Sequence, residues 1–243
     1  MKSVKLYMIK VLRRVINSIL VLLILVFIVI IVNKKYSYYK ENLRYNKIRN
    51  IRSELVKQND NEVFIDDEMK KINSDYVFWI EIPDTVINYP VVQGVDNQFY
   101  LNNNFYGEES ISGTIFLDAE NDLASDRNLI LYGHHMRDGS MFAGINKFKE
   151  EDFFDNGKIK IIKDNKEYFY EVFSVRVVDG NDNKIISHFN NDEEFDNYIE
   201  LLKTESIYKK DEINSDFSKI ITLFTCSYEF DNARTIISAA LVE

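Results

Sequence analysis

Residues 219–242 read KIITLFTCSYEFDNARTIISAALV and contain Cys226, the only cysteine of the chain. The apolar, β-branched run at residues 220–225 has the length and composition of a β-strand, and a similar run follows Arg234. The polar residues 227–233 between the two runs are typical of a turn. The pattern therefore predicts a β-hairpin in which Cys226 ends one strand and Arg234 begins the next.

This placement makes Cys226 a candidate nucleophile. A positive charge such as the guanidinium of Arg234 favours the thiolate form of a nearby thiol, which is the reactive form. The alternative interpretation is a buried structural cysteine, because free cysteines are among the most buried residues in proteins. The hairpin alone does not separate the two.

A pair of histidines follows a second apolar segment. Residues 128–133, NLILYG, predict a strand that runs directly into His134 and His135, two of the three histidines in the chain. A thiol nucleophile needs a nearby acid and base, which is usually histidine. Neighbouring residues on an extended segment point in opposite directions, so only one of the pair can face Cys226. Each could also be an ordinary polar loop residue.

Several motifs together resemble the sortase family. Residues 222–226, TLFTC, match the TLxTC signature of sortases, and Arg234 and the segment Tyr132-Gly133-His134 complete the constellation. Four further segments resemble class B sortases in particular: FWIEIP at 78–83, YPVVQ at 89–93, HHM at 134–136 and DGSMF at 138–142. The resemblance extends from about Tyr76 to the C-terminus and implies a cysteine transpeptidase.

The resemblance also implies roles for individual residues. Cys226 corresponds to the nucleophile, His134 to the general acid and base, and Arg234 to the group that stabilises the oxyanion. Asn97 and Leu101 resemble groove residues that meet the substrate, and Thr225 is expected to line the same groove. For these last three, packing of the fold is the alternative interpretation.

One position departs from the class B pattern. Phe224 fills the variable position of TLxTC, where a small polar residue such as serine is common in class B. A hydroxyl contact at this position therefore does not carry over to this chain.

The fold class predicted is mostly β. Eight runs have strand character, at residues 77–82, 87–93, 114–118, 128–133, 158–162, 167–179, 219–226 and 234–242. A series of short strands with few long helices indicates a closed barrel or a sandwich. The resemblance favours an eight-stranded sortase-like β-barrel, expected at residues 76–243. Pro90 predicts an edge or bulged position in the second strand.

Helices are predicted around this barrel. Asn190 or Asn191 can cap a helix whose apolar residues 195, 198, 199 and 202 follow helical spacing, between strands six and seven. The resemblance implies that this helix forms one wall of the substrate groove, whereas a simple covering role is the alternative. Residues 36–59 and 66–72 fit helices more loosely, so 33–75 is interpreted as a linker with N-terminal helices.

Residues 15–32 are predicted to form a transmembrane anchor. Eighteen residues, apolar except Asn17 and Ser18, span about 27 Å as a helix, close to the thickness of a bilayer core. A cleaved signal peptide is the alternative, but its apolar core would be shorter and would end in small residues. Basic residues lie on both flanks, so charge does not set the orientation. The resemblance implies a single-pass membrane protein with residues 1–14 in the cytoplasm and the catalytic domain outside the cell.

The charge distribution argues against nucleic acid as a partner. The whole chain carries −9, and residues 1–35 contain seven Lys and Arg and no acids, so residues 36–243 carry −16. A domain that binds a polyanion should instead be basic.

The resemblance implies the reaction and its partners. The partners are surface proteins with a C-terminal sorting signal, which is cleaved after threonine, and a peptidoglycan precursor amine that receives the new carboxyl group, in a Gram-positive type of envelope. No metal or organic cofactor is needed for this chemistry. A hydrolytic thiol protease and a catalytically silent peptide-binding envelope barrel are the alternatives.

Overall fold

The computed structural model describes residues 2–58, 65–181, 185–210 and 217–242. It divides into two compact units, residues 1–44 and residues 45–243. The predicted domain ranges 1–14, 33–75 and 76–243 each include some residues outside the described part. Those domain boundaries therefore stay predictions.

The first helix, α1, is a single element that spans Lys2–Gln58. The apolar residues 15–32 lie within it with their large side chains exposed. By length and composition it is the one helix in the described part of the chain that could cross a membrane. The predicted helix at 36–59 is a continuation of α1 as far as Gln58. Residue 59 lies outside the described residues.

Eight strands form a closed barrel, as predicted. The strands are β1 Tyr76–Glu81, β2 Asn88–Val92, β3 Ile115–Leu117, β4 Asn128–Tyr132, β5 Lys158–Lys163, β6 Lys166–Asp179, β7 Ile220–Cys226 and β8 Ala233–Val242. Their order around the barrel is β1-β2-β3-β4-β7-β8-β6-β5. Two neighbouring pairs, β2–β3 and β4–β7, are parallel, and the others are antiparallel. Each strand end lies within two residues of the predicted end.

Pro90 lies at a position where a strand tolerates a residue without a backbone N–H. It is paired with Trp79 of β1 on one side, while the pairing of β2 with β3 begins only at Val91. A register shift in β1 lies just beyond, between Tyr76 and Phe78. Pro90 thus sits where the strand has a neighbour on one side only, next to an irregularity.

The predicted N-terminal helices pack on the barrel. Tyr45, in the last part of α1, donates a buried hydrogen bond of 2.7 Å to the carbonyl oxygen of Gly113. The guanidinium of Arg52 lies 4.9 Å from the ring centre of Trp79, a cation–π contact. Helix α2, Ile65–Ile72, is held by Asp66, whose carboxylate accepts a hydrogen bond from Tyr76 at 3.0 Å.

Helix α5, Asp192–Glu205, lies between β6 and β7, as predicted. The side-chain oxygen of Asn191 accepts a hydrogen bond of 2.8 Å from the N–H of Glu194, so Asn191 is the N-cap. All four residues of the predicted apolar stripe are buried, and they pack against Phe173, Ile220 and Ala240 of the barrel. The helix is therefore fixed by its apolar face.

Three short helices were not predicted. They are α3 Phe99–Asn102, a 3-10 helix at Phe142–Lys149 and α4 Glu151–Asp155. The buried residues of the 3-10 helix are Phe142, Ile145 and Phe148. This spacing of three matches three residues per turn, so a search for a period of 3.6 does not detect it.

Candidate active site

The cysteine and the arginine are directly paired across the hairpin. Cys226 is the last residue of β7 and lies opposite Arg234 of β8. Side chains of directly opposed residues in an antiparallel pair project from the same face. Cys226 is exposed, which rules out the buried structural cysteine considered above. The thiol and the guanidinium therefore project from one face of the barrel wall.

The histidine is brought to this place by the parallel pairing of β4 with β7. The last pair in register is Tyr132 with Phe224, and the N–H of Gly133 then donates to the carbonyl of Phe224 at 3.2 Å. The hydroxyl of Thr225 donates to the carbonyl of Gly133 at 2.7 Å. Because the strands are parallel, their carboxyl ends lie at the same edge. His134, just after β4, and Cys226, the last residue of β7, therefore both lie at that edge.

Gly133 permits this strand end to lie against the 3-10 helix. A Cβ atom at this position would come within 2.7 Å of the ring of Phe142, closer than real Cβ contacts. The N–H of Phe142 in turn donates to the carbonyl of His134 at 2.9 Å. The backbone of His134 is thus held from the 3-10 helix as well as from β7.

The imidazole of His134 has a defined tautomer. Its Nε2 lies 2.7 Å from the carbonyl oxygen of Leu101, and a carbonyl can only accept a hydrogen bond. The hydrogen is therefore on Nε2, and in the neutral ring Nδ1 carries the lone pair. The half-buried ring has one nitrogen fixed by the backbone and one available for proton exchange.

Arg234 keeps its charge available. Its Nη1 donates to the carbonyl of Ala233 at 3.0 Å, and in the part of the chain that the structure describes no carboxylate forms a salt bridge with it. Gly180 lies close to it, since a Cβ there would come within 3.0 Å of the guanidinium carbon. The guanidinium therefore retains donors for another oxygen.

All six predicted site residues line one cavity of about 490 Å³, which we call the thiol cavity. They are Cys226, His134, Arg234, Asn97, Leu101 and Thr225. They come from β7, β8, the end of β4 and the segment around α3. The closed barrel therefore gathers residues that are as far as 137 positions apart in sequence.

Asn97 is held rigidly in the wall of the thiol cavity. Its amide donates to a carboxylate oxygen of Asp118 at 3.1 Å and accepts from the N–H of Ala119 at 2.8 Å. The same Asp118 oxygen accepts from the hydroxyl of Tyr132 at 2.9 Å. Burial, together with the nearby Asp118 charge, raises the pKa of Tyr132 above its ordinary value. Tyr132 therefore stays protonated and remains a donor.

Leu101 and Thr225 each have a structural contact besides their place in the wall. The carbonyl of Leu101 orients His134, and the buried hydroxyl of Thr225 donates its hydrogen bond to the carbonyl of Gly133. Both residues thus position the histidine. Whether their side chains also meet a substrate stays a prediction.

Five other residues line the thiol cavity, and the sequence analysis predicted none of them as lining, although it quoted three of them in motifs: Phe116, Tyr132, Gly133, Gly180 and Phe224. The rings of Phe116 and Tyr132 lie 5.3 Å apart, and those of Tyr132 and Phe224 lie 5.4 Å apart, so they form one aromatic wall. Strand alternation could have placed Phe224 on the Cys226 face, two residues earlier. No signal in the sequence identified Gly180.

The other two histidines lie outside the thiol cavity. Nδ1 of His135 lies 2.9 Å from the carbonyl oxygen of Cys226, and the ring lines a separate cavity. His188 contacts the carboxylate of Asp126 at 2.5 Å. The pair at 134–135 is therefore divided between two cavities, as expected for neighbouring extended residues.

Helix α5 does not contribute to the thiol cavity within the described part of the chain. The connection between β6 and β7 supplies only Gly180 to the lining there. The covering role considered above is thus the one that the described contacts of α5 support.

Comparison with known proteins agrees with this geometry. Residues 80–242 match the model of the sortase domain. Sortase B of Staphylococcus aureus (strain NCTC 8325 / PS 47) is 32% identical over 235 residues, which cover 94% of this chain and 96% of that protein. The alignment thus includes the N-terminal region as well as the barrel.

Solved structures of class B sortases share the fold. The X-ray structure of Clostridium perfringens sortase B is 41% identical with a TM-score of 0.71, covering 73% of this chain and 99% of that one. A Staphylococcus aureus sortase B–substrate complex is 30% identical with a TM-score of 0.77, covering 85% and 98%. Family model, relatives and structures agree, and the chain belongs to the sortase family as a class B, sortase-type transpeptidase.

Proposed function

We propose that this enzyme is anchored in the cell membrane and cleaves a C-terminal sorting signal after threonine through a thioester on Cys226. It then transfers the new carboxyl group to an amine of the cell-wall peptidoglycan precursor. The observation that carries the proposal is the single cavity shared by Cys226, His134 and Arg234. Its relatives named above are sortase B proteins, one of them solved with a substrate.

The first step is attack on the threonyl carbonyl carbon by the Cys226 sulfur as a thiolate, whose proton has passed to Nδ1 of His134. A C–S bond forms, and the carbonyl electrons move to oxygen to give a tetrahedral oxyanion. Arg234 is the donor proposed to bind this oxyanion, because it lies opposite Cys226 and forms no salt bridge among the described residues. A preorganised donor of this kind contributes about 3 kcal/mol in a site shielded from water.

Collapse of the intermediate needs a proton on the leaving amine. His134 keeps one hydrogen on Nε2 for the carbonyl of Leu101, so the second proton of its cationic form is on Nδ1. Transfer of that proton to the leaving nitrogen breaks the C–N bond and leaves a thioester on Cys226. The ring returns to the neutral tautomer without losing its contact with Leu101.

The aromatic wall and Asn97 define the proposed acyl-binding side of the cavity. Phe116, Tyr132 and Phe224 offer apolar surface, while the amide of Asn97 is fixed by Asp118 and the backbone. A groove of this composition suits an extended peptide with apolar and amide groups.

Helix α1 supports the proposed anchoring. It is long and apolar enough to cross a membrane, and its apolar side chains at 15–32 are exposed. In the orientation proposed, residues 1–14 lie in the cytoplasm and the barrel lies outside, where peptidoglycan precursor is available.

The amine dependence of the products tests the proposal. Full-length protein in detergent is incubated with a peptide that contains an Asn/Ser/Leu-Pro-x-Thr-Gly/Asn motif, with and without triglycine, and the products are identified by mass spectrometry. We expect a threonyl–triglycine product when the amine is present. If a peptide that ends in a free threonine carboxylate is the sole cleavage product in both samples, the protein is a thiol protease. If no peptide of a library that varies this motif is cleaved, the protein is a silent barrel.

We predict that the two adjacent histidines differ in their effect on peptide cleavage. His134→Ala removes the proposed proton donor and should abolish nearly all release of the leaving fragment. His135→Ala should keep a substantial fraction, because His135 lines another cavity and contacts the backbone carbonyl of Cys226, the amide of Asn146 and the ring of Tyr228, none of which takes part in the proposed chemistry. The measurement is single-turnover release of the leaving fragment.

His188→Ala is the matched control, since His188 lines neither cavity and should cleave like the original protein. Circular dichroism verifies that each variant is folded. Complete loss in both His134→Ala and His135→Ala with normal folding would contradict the division of roles.

We predict that Arg234→Lys lowers kcat/KM by about 10²–10³-fold, the scale for loss of an oxyanion donor. Lysine keeps the charge but cannot reproduce a planar, forked donor. The melting temperature should change little, because Arg234 donates its side-chain hydrogen bond to the carbonyl of its own neighbour, Ala233. Activity and melting curves are measured together.

Arg127→Lys provides the control for activity, because the half-buried Arg127 pairs with the exposed Asp192 and lies over the ring of Phe195, away from the thiol cavity. Near-normal activity in Arg234→Lys would contradict the catalytic role proposed for Arg234. A fall in melting temperature large enough to explain the lost activity would indicate a structural role instead.

A further inference from the structure

Another cavity lies at the end of the barrel opposite to the thiol cavity, and we call it the distal cavity. Its lining comes from the starts of β4 and β6, the ends of β5 and β8, and Lys219 just before β7. Its volume is about 340 Å³, and it shares no lining residue with the thiol cavity. Cys226 is at the other end of β7, so roughly 20 Å of strand separates it from Lys219.

The inner part of the distal cavity is apolar. Phe78, Leu129 and Ile161 line it, and each is at most 5% exposed. Leu241 of β8 lies opposite Tyr170 of β6, so these two lining residues project from the same face of the barrel wall. Ligand sites are mostly apolar with a few convergent polar groups, and the mouth of a β-barrel is one of their common positions.

Tyr170 brings an unpaired hydroxyl to this cavity. The residue is 4% exposed, and its hydroxyl forms no hydrogen bond within the part of the chain that the structure describes. The hydroxyl is not among the fully enclosed unpaired atoms, so it is open to the cavity that the residue lines. Burial, with a smaller effect of Tyr168, raises the pKa of Tyr170 to about 12, and the hydroxyl remains a donor at neutral pH. A ligand oxygen would satisfy this donor.

Lys219 adds a positive charge to the lining. Its Nζ donates to the carbonyl oxygen of Leu123 at 2.8 Å, and it forms no salt bridge among the described residues. The side chain is half-buried, and burial lowers the pKa of Lys219 below its ordinary value because the charge is poorly solvated there. An anion in the cavity would supply the missing countercharge.

Two acidic residues near Lys219, Asp126 and Asp122, oppose this effect of burial, but neither lines the cavity. The carboxylate of Asp126 accepts hydrogen bonds from the side chain of Asn121 at 2.6 Å and from the N–H of Asp122 at 2.9 Å. The carboxylate of Asp122 accepts from the N–H of Ala124 at 2.8 Å. Both carboxylates are therefore occupied by other donors, and the ammonium of Lys219 is available to an anion.

The mouth of the distal cavity is also free of negative lining residues. Lys163 lies there and pairs at 2.5 Å with the exposed carboxylate of Asp164, which is not part of the lining. Exposed ion pairs contribute little free energy, so this ammonium can exchange its partner. Among the described residues no Asp or Glu lines the cavity. The lining is therefore positive and polar towards solvent and apolar inside.

We propose that the distal cavity binds a small carboxylate with an apolar body. The carboxylate pairs with the ammonium of Lys219 and accepts a hydrogen bond from the hydroxyl of Tyr170. The apolar body packs on Phe78, Leu129 and Ile161. The volume of about 340 Å³ is near the lower end of the range for ligand pockets, about 300–1,000 Å³, which suits a body of one ring. The inference is independent of the proposed function, because no residue of the thiol cavity takes part.

Fluorine NMR of 4-fluorobenzoate measures this binding in full-length protein in a nonionic detergent. The neutral analogue 4-fluorobenzyl alcohol has the same ring, and detergent without protein gives the background from micelles. We expect the carboxylate to bind about tenfold or more tightly than the alcohol, which is the scale of one hydrogen bond to a charged group.

Lys219→Met tests the charge. It should weaken binding of 4-fluorobenzoate about tenfold or more, because methionine keeps an unbranched side chain but has no ammonium. Lys158→Met is the matched control, since it makes the same charge change at an exposed position of β5 that does not line the distal cavity. Binding of the alcohol should be equal in both variants.

Tyr170→Phe tests the hydroxyl and keeps the proposal testable if Lys219→Met fails to fold. It should weaken binding of 4-fluorobenzoate about three- to tenfold. The melting temperature without ligand should not fall, because the hydroxyl has no hydrogen-bond partner among the described residues. A hydroxyl with a purely structural role would give the opposite pattern, a lower melting temperature and unchanged binding.

Each result decides the proposal. Preferential binding of the carboxylate that is weakened in Lys219→Met and Tyr170→Phe but kept in Lys158→Met supports it. Equal binding of carboxylate and alcohol, equal effects of the two lysine variants, or unchanged binding in Tyr170→Phe overturns it. So does a signal from the unaltered protein no larger than the detergent background. None of these outcomes concerns cleavage of a sorting peptide, so the proposed function stands or falls separately.

Discussion

The parallel pairing of β4 with β7 is the constraint on which the site depends. Five residue pairs are in register, from Asn128 with Ile220 to Tyr132 with Phe224. A buried hydrogen bond of 2.8 Å joins the side chains of Thr222 and Asn128 across this pair. Because neighbouring residues face opposite sides of a sheet, a slip of one residue would turn a whole strand face to the other side. Buried polar groups that must find their partners therefore specify the register.

That register has a direct chemical consequence. The carboxyl ends of parallel strands lie at the same edge of a sheet. The histidine after β4 and the cysteine at the end of β7 therefore come together although they are far apart in the sequence. The antiparallel β7–β8 hairpin then adds Arg234 opposite Cys226. One parallel and one antiparallel pair thus deliver the three proposed catalytic groups to one cavity.

Local patterns in the sequence predicted much of this fold. The strands at both sides of Cys226 have β-branched, apolar composition, and α5 has a cap and a regular apolar stripe. Family resemblance supplied the closure of the barrel and selected His134 over His135. Phe142–Lys149 was missed because its apolar residues repeat every three positions.

The contacts that make the site function were beyond the sequence. Nothing local indicates that the carbonyl of Leu101 fixes the tautomer of His134, or that Gly133 gives space to the ring of Phe142. Each depends on residues far apart in the chain. The separate cavity that His135 lines is a further example, since its walls come from three separate connections between strands.

The most direct test of the account is the intact mass of the full-length protein after incubation with a sorting peptide in the absence of amine. The account predicts an increase equal to the acyl fragment that ends in threonine, sensitive to hydroxylamine as a thioester should be, and absent from Cys226→Ala. An adduct that persists in Cys226→Ala would contradict the account. So would cleavage of the peptide by the unaltered protein with no adduct on it, measured at times shorter than thioester hydrolysis.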